Sequence, residues 1–313
     1  MKAKTEQILK LYFSSIFVYL IGILIFRYLP YYKRILSADT QAVILMIFLG
    51  YLIVAPLFYL ITSTKYSENK PLLVLRGVRR FFTQFKLEKK EKVALLFMLV
   101  KIFYLPLMIN FFFNNFNSLS NQWDSMAIYP LILISIFTLD TLVFAFGYIF
   151  EFKFLNNVVK SVEPTFFGWF VALVCYPPFN SIVGKYLAWG ANDYVHFWTD
   201  GWTIFFRVIV IALLMIYLWA TFALGFKASN LTNRGIVCRF PYNIIRHPAY
   251  ISKNLAWWIT MIPIINWKFA LGMGVWSTIY FFRALTEERH LSSDPDYIEY
   301  KKKVKWRFIP YVY

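Results

Sequence analysis

Long apolar stretches with almost no interior charge are the feature that most constrains this chain of 313 residues. A transmembrane helix needs about 20 mostly apolar residues. Six stretches predict single spans, with approximate bounds 11–29, 41–62, 93–113, 128–150, 165–187 and 202–226. Pro177 and Pro178 are expected to kink or break the fifth of these spans. A seventh, 249–282, is too long for one span and is interrupted at Pro263, Asn266 and Lys268, which predicts a hairpin of two helices. The predicted fold is therefore an all-α polytopic membrane protein with about eight transmembrane helices.

The composition supports this class. The chain is 59% hydrophobic and only 16% charged, whereas roughly a quarter of the residues of a soluble domain are charged. Too few polar side chains remain to cover a water-facing surface, which excludes an ordinary soluble enzyme and a disordered chain. Two cysteines, Cys175 and Cys238, exclude a disulfide scaffold. The first span is as long as the others and no small-residue cleavage site follows it, so we expect no cleaved signal peptide.

The formal net charge of +17 has two interpretations, a basic face that binds nucleic acid or acidic lipid, or the excess of Lys and Arg that flanks membrane spans on the cytoplasmic side. The low polarity of the chain favours the second. Segment 63–92 carries nine Lys and Arg residues against three Glu, and 114–127 carries no Lys or Arg. If 63–92 is inside, alternation of the spans places both termini and the tail from Arg283 in the cytoplasm. The first connection, with Lys33 and Arg34, disagrees. Most of the charge then requires no nucleic-acid partner.

The first cluster of chemically interesting residues is the segment 241–250, PYNIIRHPAY. Pro248 fits the first turn of the seventh predicted helix, where its missing N–H costs nothing. Arg246 and His247 then lie at the start of that helix, beside free backbone N–H groups that suit an anion. The alternative is that Arg246 anchors the chain at the inner membrane surface and His247 caps the helix.

The second cluster closes the eighth predicted helix, at 283–290, RALTEERH. Arg283 and Glu287 are four residues apart and share a helix face, so an ion pair is sterically natural. Glu287 and Glu288 oppose both the helix dipole and an anionic lipid surface, so a cationic group is expected to compensate them. The alternative is a solvated turn in which Glu287 pairs with Arg283 and Glu288 faces water.

The C-terminal segment 296–310 interleaves aromatic and cationic residues, which predicts an amphipathic helix lying on an anionic membrane surface. Other catalytic patterns are poorly supported. The three histidines form no HExxH arrangement and no Cys pair has metal-ligand spacing, so we expect no metal. No glycine-rich phosphate loop is present.

Three motifs together resemble those of a known family. They are Pro241-Tyr242 followed by Arg246-His247-Pro248-x-Tyr250, then FFRxxTEE at 281–288, then DYIEYKKKV at 296–304. In this order, with a helical hairpin between the first two, they resemble the integral-membrane methyltransferases typified by isoprenylcysteine carboxyl methyltransferase. Phospholipid methyltransferases are more distant relatives. Residues 1–200 match by hydropathy alone, so the expected organisation is a divergent helical region, 1–200, and a methyltransferase core, 201–313.

The resemblance implies a cytoplasm-facing pocket for S-adenosylmethionine and a lipid-like or prenylated acceptor that enters from the bilayer. The roles that it implies fall into two groups. The cofactor contacts are Tyr242, His247, Pro248, Tyr250 and Glu287. The residues at the reacting centre are Arg246, Arg283 and Glu288. Lys253 and Asn254 follow the first motif, where they are expected to reach a substrate headgroup.

The acceptor decides what chemistry the protein must supply. A terminal carboxylate, with a pKa of about 3.5, is already ionised and needs only orientation, for which arginine is suited. An amine headgroup must first lose a proton to a base such as Glu288 or His247. The two arginines favour the carboxylate, and amine N-methylation remains an alternative. Two further classes stay open, an NADPH-dependent membrane reductase of the sterol-reductase type and a non-enzymatic transporter or channel.

Overall fold

The computed structural model describes residues 2–62, 68–123 and 126–312. Across these ranges the chain is almost entirely α-helical. It divides into two compact units, Met1–Phe113 and Asn114–Tyr313. Part of the basic connection used to assign the cytoplasmic side, including Lys65, lies outside the described residues. The predicted functional boundary at residue 200 stays a prediction.

The first unit is built around the helix α1. Its helices are α1 (Lys2–Tyr28), α2 (Pro30–Ile35), α3 (Ala38–Thr62), α4 (Lys70–Gln84) and α5 (Lys89–Gln122), whose last turns belong to the second unit. α1 packs against α3 and α4, and Leu11, Ala55 and Tyr59 form a buried cluster there. Asn69 begins α4 because its side chain accepts a hydrogen bond from Leu72 N at 2.9 Å, as expected of an N-cap.

The second unit contains the remaining elements. They are α6 (Ile128–Ile149), β1 (Ser161–Val162), α7 (Phe166–Leu173), α8 (Phe179–Tyr186), α9 (Asp200–Leu224), β2 (Thr232–Asn233), α10 (Pro248–Met261), α11 (Trp267–Leu291) and α12 (Pro295–Lys303). α9 packs against α6 and α10 around a core that includes Leu133, Leu214 and Ala256. β1 and β2 pair antiparallel, with Ser161 opposite Asn233.

Five helices within the described residues are long and apolar enough to cross a membrane. They are Thr5–Tyr28, Ala38–Ile61, Lys89–Asn121, Ile128–Ile149 and Asp200–Lys227. These helices coincide with five of the six predicted single spans. The third of them extends beyond its predicted end at residue 113, because α5 ends only at Gln122. It therefore includes most of 114–127, the stretch without Lys or Arg that alternation of the spans makes an outer connection.

The span predicted at 165–187 is not among the five long apolar helices. The chain forms two eight-residue helices there, α7 and α8, each about 12 Å long, against a hydrocarbon core of about 30 Å. The expectation that Pro177 and Pro178 break this span is confirmed, since α7 ends at Leu173 and α8 begins at Phe179. A proline in a helix interior removes a hydrogen bond and clashes with the preceding turn.

The two helices predicted within 249–282 are present as α10 and α11, but neither is among the five helices of the described residues that are long and apolar enough to cross a membrane. α10 begins at Pro248 as expected, and Asn266 starts α11 by accepting hydrogen bonds from the backbone N–H groups of Lys268 and Phe269. α11 runs without a break to Leu291. The acidic motif therefore lies on the last turns of a long helix.

The C-terminal segment differs from the amphipathic helix expected over 296–310. Helix α12 ends at Lys303, and Tyr297, Tyr300 and Val304 are buried. They pack against Ile236, Tyr242 and Leu291. The apolar face that was expected to lie on lipid is therefore covered by the protein itself, and the segment is part of the second unit.

Candidate functional site

The RHP motif is held in place by the chain that follows α12. The backbone N–H of Arg246 donates to Trp306 O at 3.0 Å, and that of His247 donates to Arg307 O at 3.0 Å. The Arg246 guanidinium also donates to the carbonyls of Val304 and Lys305, at 2.9 and 2.6 Å. The C-terminal tail and the start of α10 are thus joined by four hydrogen bonds.

Glu288 lies at the centre of a buried ionic cluster. Its Oε1 is 2.8 Å from Nε of Arg246 and 3.0 Å from Nε of Arg307. Its Oε2 is 3.4 Å from Nη2 of Arg246 and 3.0 Å from Nη2 of Arg307. His247 Nε2 lies 3.1 Å from Oε1. Both the Glu288 and the Arg246 side chains are almost fully buried. We call Arg246, His247, Glu288 and Arg307 the Glu288 cluster.

This cluster shows what compensates the charge of Glu288. Glu288 does not face water, so the alternative of a solvated turn is wrong for this residue. Burial opposes its ionisation, but the hydrogen bonds from His247, Arg307 and Arg246 outweigh burial and hold the pKa of Glu288 well below its usual range. A carboxylate held in this way is a weak base. The chain itself, rather than a ligand, supplies the compensating cations.

Glu287 lies in a different environment. It is exposed, and its Oε2 accepts a hydrogen bond from the Tyr250 hydroxyl at 2.7 Å. Among the described residues, Glu287 and Arg283 do not form the predicted ion pair. Arg283 is instead buried and donates to Asn230 Oδ1, while its guanidinium lies 5.1 Å from the centre of the Tyr250 ring, within the range of a cation–π contact.

A cavity of about 50 Å³ brings several of these side chains together. It is lined by Tyr250, Arg283 and Glu287 from the predicted set, and by Glu163, Asn230 and His290 from outside it. Burial lowers the pKa of His290, whose Nε2 is hydrogen-bonded to the Ser161 hydroxyl at 2.8 Å. The space is enough for a few water molecules. We call it the Glu287 cavity.

The remaining predicted residues have other surroundings. Pro248 is buried at the first position of α10, and Tyr242 accepts a hydrogen bond from the Tyr300 hydroxyl through its carbonyl oxygen at 2.7 Å. Asn254 accepts from Ser277 at 2.6 Å, on the contact between α10 and α11. The Lys253 ammonium lies over three aromatic rings, those of Phe137, Tyr217 and Trp257, at 4.8–5.8 Å.

The structure therefore separates the predicted site into two places. Tyr250, Arg283 and Glu287 meet at the Glu287 cavity, whereas Arg246 and His247 both contact the carboxylate of Glu288. The reason is that successive residues on a helix point about 100° apart, so Glu287 and Glu288 cannot face the same pocket. The cavity can bind a polar or charged ligand, and the cluster fixes the loop and tail beside it.

Three contributors were missed by the sequence patterns. Arg307 belongs to a basic run that loop-charge reasoning had already explained. Glu163 and Asn230 lie in connections outside the recognised motifs, and they reach the cavity because β1 and β2 pair. The available signal was weak. It consisted of Glu163 itself, followed by Pro164 and Thr165, at the end of a loop that carries only four charged residues between 151 and 163.

Comparisons of the chain with protein-family models, with curated proteins and with solved structures found no match.

Proposed function

We propose that this protein is an integral-membrane methyltransferase that uses S-adenosylmethionine and acts on a lipid-embedded acceptor. One observation carries the proposal. Tyr250 from the first motif and Arg283 and Glu287 from the second converge on one cavity, and these are residues to which the family resemblance assigns contacts with cofactor or reacting groups. The Glu288 cluster, built from the same two motifs, holds the start of α10 beside that cavity.

The pairing of β1 with β2 supports a topology with eight crossings. Ser161 and Asn233 are opposite each other, so the segments that follow α6 and α9 meet, which supports placing the ends of both helices on the same side of the membrane. Because α9 crosses once, the chain between α6 and α9 must also cross once. We propose that α7 and α8 make this crossing in two halves. The α10–α11 hairpin then adds two crossings and returns the chain to the side from which it started.

The loop charges support a cytoplasmic position for this side. The cavity is built from residues 163, 168, 172, 229–232, 250, 283, 286, 287, 290 and 291. Most of them lie in or beside the connections that the excess of Lys and Arg assigns to the cytoplasm. Both termini lie on this side in the proposed topology. A cofactor dissolved in the cytoplasm would therefore reach the Glu287 cavity directly, while an acceptor with a lipid anchor would approach from the bilayer.

The residues of the cavity fit a cationic cofactor. When bound, S-adenosylmethionine supplies an electrophilic methyl group on a positively charged sulfur. The exposed Glu287 carboxylate, oriented by Tyr250, provides negative charge beside the opening. The cavity is smaller than the 300–1,000 Å³ of typical small-molecule sites, so binding must widen it. Glu287 is exposed, so we propose that its side chain moves away from Tyr250 when the cofactor binds.

The Glu288 cluster favours a carboxylate acceptor over an amine. An amine must lose a proton before it attacks, and Glu288 is held ionised with a lowered pKa, so it is a poor base. His247 donates to or accepts from the same carboxylate. A carboxylate acceptor needs no proton transfer. Its oxygen attacks the methyl carbon, the carbon–sulfur bond breaks, and the bonding electrons remain on sulfur. Arg283 is the cation available in the cavity to orient that carboxylate.

Calorimetry with purified protein, in detergent and in lipid nanodiscs, tests the proposal. S-adenosylhomocysteine should bind, and Glu287→Gln should weaken binding because it removes a negative charge from the cavity. Glu299→Gln, which changes an exposed acid on α12, is the matched control and should bind like wild type. Absence of binding in both environments would overturn the proposal. Protection from thermal unfolding by NADPH but not by S-adenosylhomocysteine would indicate the reductase instead.

The acceptor can be identified by comparing cells with and without the protein. Mass spectrometry of their lipids and lipidated peptides should reveal species that gain the mass of one methyl group. An ester that is cleaved by mild alkali indicates a carboxylate acceptor. A methylated amine, stable to alkali, would contradict the proposed acceptor class while preserving the proposed enzyme class.

A further inference from the structure

Glu163 is a buried acid with an incomplete set of hydrogen bonds. It follows β1 directly, and its backbone N–H donates to Leu231 O at 2.8 Å, which fixes its position beside the β1–β2 pair. Its side chain is 3% exposed. The residue lines the Glu287 cavity, although it lies about 80 residues before the first family motif.

The two carboxylate oxygens of Glu163 have different surroundings. Oε1 accepts hydrogen bonds from the backbone N–H and hydroxyl of Thr165, and from Arg289 at 2.7 Å. Oε2 is buried and has no hydrogen-bond partner among the described residues. Leaving one charged acceptor oxygen unsatisfied is costly, and native proteins rarely do so without a ligand or water that completes the site.

Local packing prevents the side chain from turning away. A Cβ placed on Gly168 would lie 2.4 Å from Glu163 Cγ and 2.5 Å from its Cδ. The carboxyl group therefore rests directly on the first turn of α7, in space that another residue at position 168 would occupy. Together with the three hydrogen bonds to Oε1, this contact fixes where Oε2 lies.

The donors of the chain around the cavity are already engaged. Arg283 donates to Asn230, and His290 is bonded to Ser161. What remains is a cavity bordered by two carboxylates, Glu163 and Glu287, and one guanidinium, Arg283. Two acids that border one cavity are complementary to a positively charged ligand group, such as the α-ammonium of an amino acid.

We propose that Oε2 of Glu163 accepts a hydrogen bond from the α-ammonium of an amino-acid-like ligand in the Glu287 cavity. This inference rests on the proposed function, in which that group is the methionine end of S-adenosylmethionine. It adds a ligand contact from the connection between α6 and α7, outside the motifs that carry the family resemblance.

The test compares two probes that differ in the amino-acid part. S-adenosylhomocysteine carries the α-ammonium, whereas 5′-methylthioadenosine lacks the whole amino-acid end. Glu163→Gln replaces only the unpartnered oxygen by an NH₂ group and leaves Oε1 to Thr165 and Arg289. We expect it to weaken binding of S-adenosylhomocysteine by about 10- to 100-fold and to leave binding of 5′-methylthioadenosine unchanged. Glu299→Gln should bind both probes like wild type.

Each other outcome is informative. An equal loss for both probes would show that Glu163 acts only on the shape of the cavity, and unchanged binding of both would show that it touches no ligand. Either result overturns the inference and leaves the proposed function standing. A wild-type protein that binds neither probe overturns both. If Glu163→Gln does not fold, wild-type protein with S-adenosylhomocysteine lacking its amino group should show the same 10- to 100-fold loss.

Discussion

Replacing Glu288 by Gln should lower the folding stability of the second unit, so its effect should not be confined to activity. The substitution removes the negative charge that buried Arg246 and partly buried Arg307 share, at distances of 2.8–3.4 Å. Arg246 keeps two backbone carbonyls, but neither carbonyl carries a charge. Removing one partner of a buried ion pair costs about 3–5 kcal/mol because an uncompensated charge is left behind.

The neighbouring acid provides a matched control. Glu287→Gln makes the same chemical change one residue earlier, on the same turn of α11. Glu287 is exposed, and among the described residues it accepts a hydrogen bond from a single tyrosine hydroxyl. Its cost should be about 1 kcal/mol or less. Thermal unfolding in detergent, followed by intrinsic tryptophan fluorescence and by recovery from size-exclusion chromatography, measures both variants against wild type.

The pH dependence gives this prediction a second signature. Because the pKa of Glu288 is lowered in the folded protein, its stabilisation is complete above the unfolded value of about 4.3 and is lost as the pH falls towards the folded value. The difference in unfolding free energy between wild type and Glu288→Gln should stay constant from pH 7 to about pH 5 and decrease below about pH 4.3. Equal melting temperatures for both Gln variants at neutral pH would refute the structural role of the cluster.

Three further predictions concern other parts of the second unit. Gly272→Ala should destabilise by about 1–3 kcal/mol, because its Cβ would lie 2.1 Å from a backbone oxygen; Gly274→Ala, with no atom within 4 Å, should not, and equal unfolding temperatures would contradict this. Burial lowers the pKa of His290, so the unfolded chain binds more protons below about pH 6.5 and stability should fall as the pH drops through that value; His290→Gln should flatten the melting profile there. Asp140→Leu should lower the unfolding free energy by about 1–3 kcal/mol in the same assay, because Asp140 accepts hydrogen bonds from Tyr217 at 2.6 Å and Thr221 at 2.7 Å. Asp200→Asn, at an exposed helix start, is the control.

Local sequence rules were sufficient for most of the helices. Apolar length predicted five spans that the structure describes as long apolar helices, and Pro248 and Asn266 marked the starts of α10 and α11. The proline pair correctly predicted the break between α7 and α8. These features depend on residues within one or two turns of each other, so the sequence pattern carries the physical cause.

The same rules failed for the C-terminal segment. The alternation of aromatic and basic residues at 296–310 is compatible with burial against lipid or against protein, because both environments are apolar. Only the fold shows that Tyr297, Tyr300 and Val304 pack on Ile236 and Leu291. Amphipathicity therefore predicted the helix but not the surface that it covers.

The sequence by itself determined that this chain is helical, with several helices long and apolar enough to cross a membrane, and that an acid at the end of α11 requires compensation. Tertiary structure alone decided which acid is buried and what compensates it. Arg246 and Arg307 are 42 and 19 residues from Glu288, and Glu163 reaches the cavity from still farther along the chain. No local spacing rule relates such positions, since only the packing of the hairpin, the β1–β2 pair and the tail brings their charges within hydrogen-bonding distance.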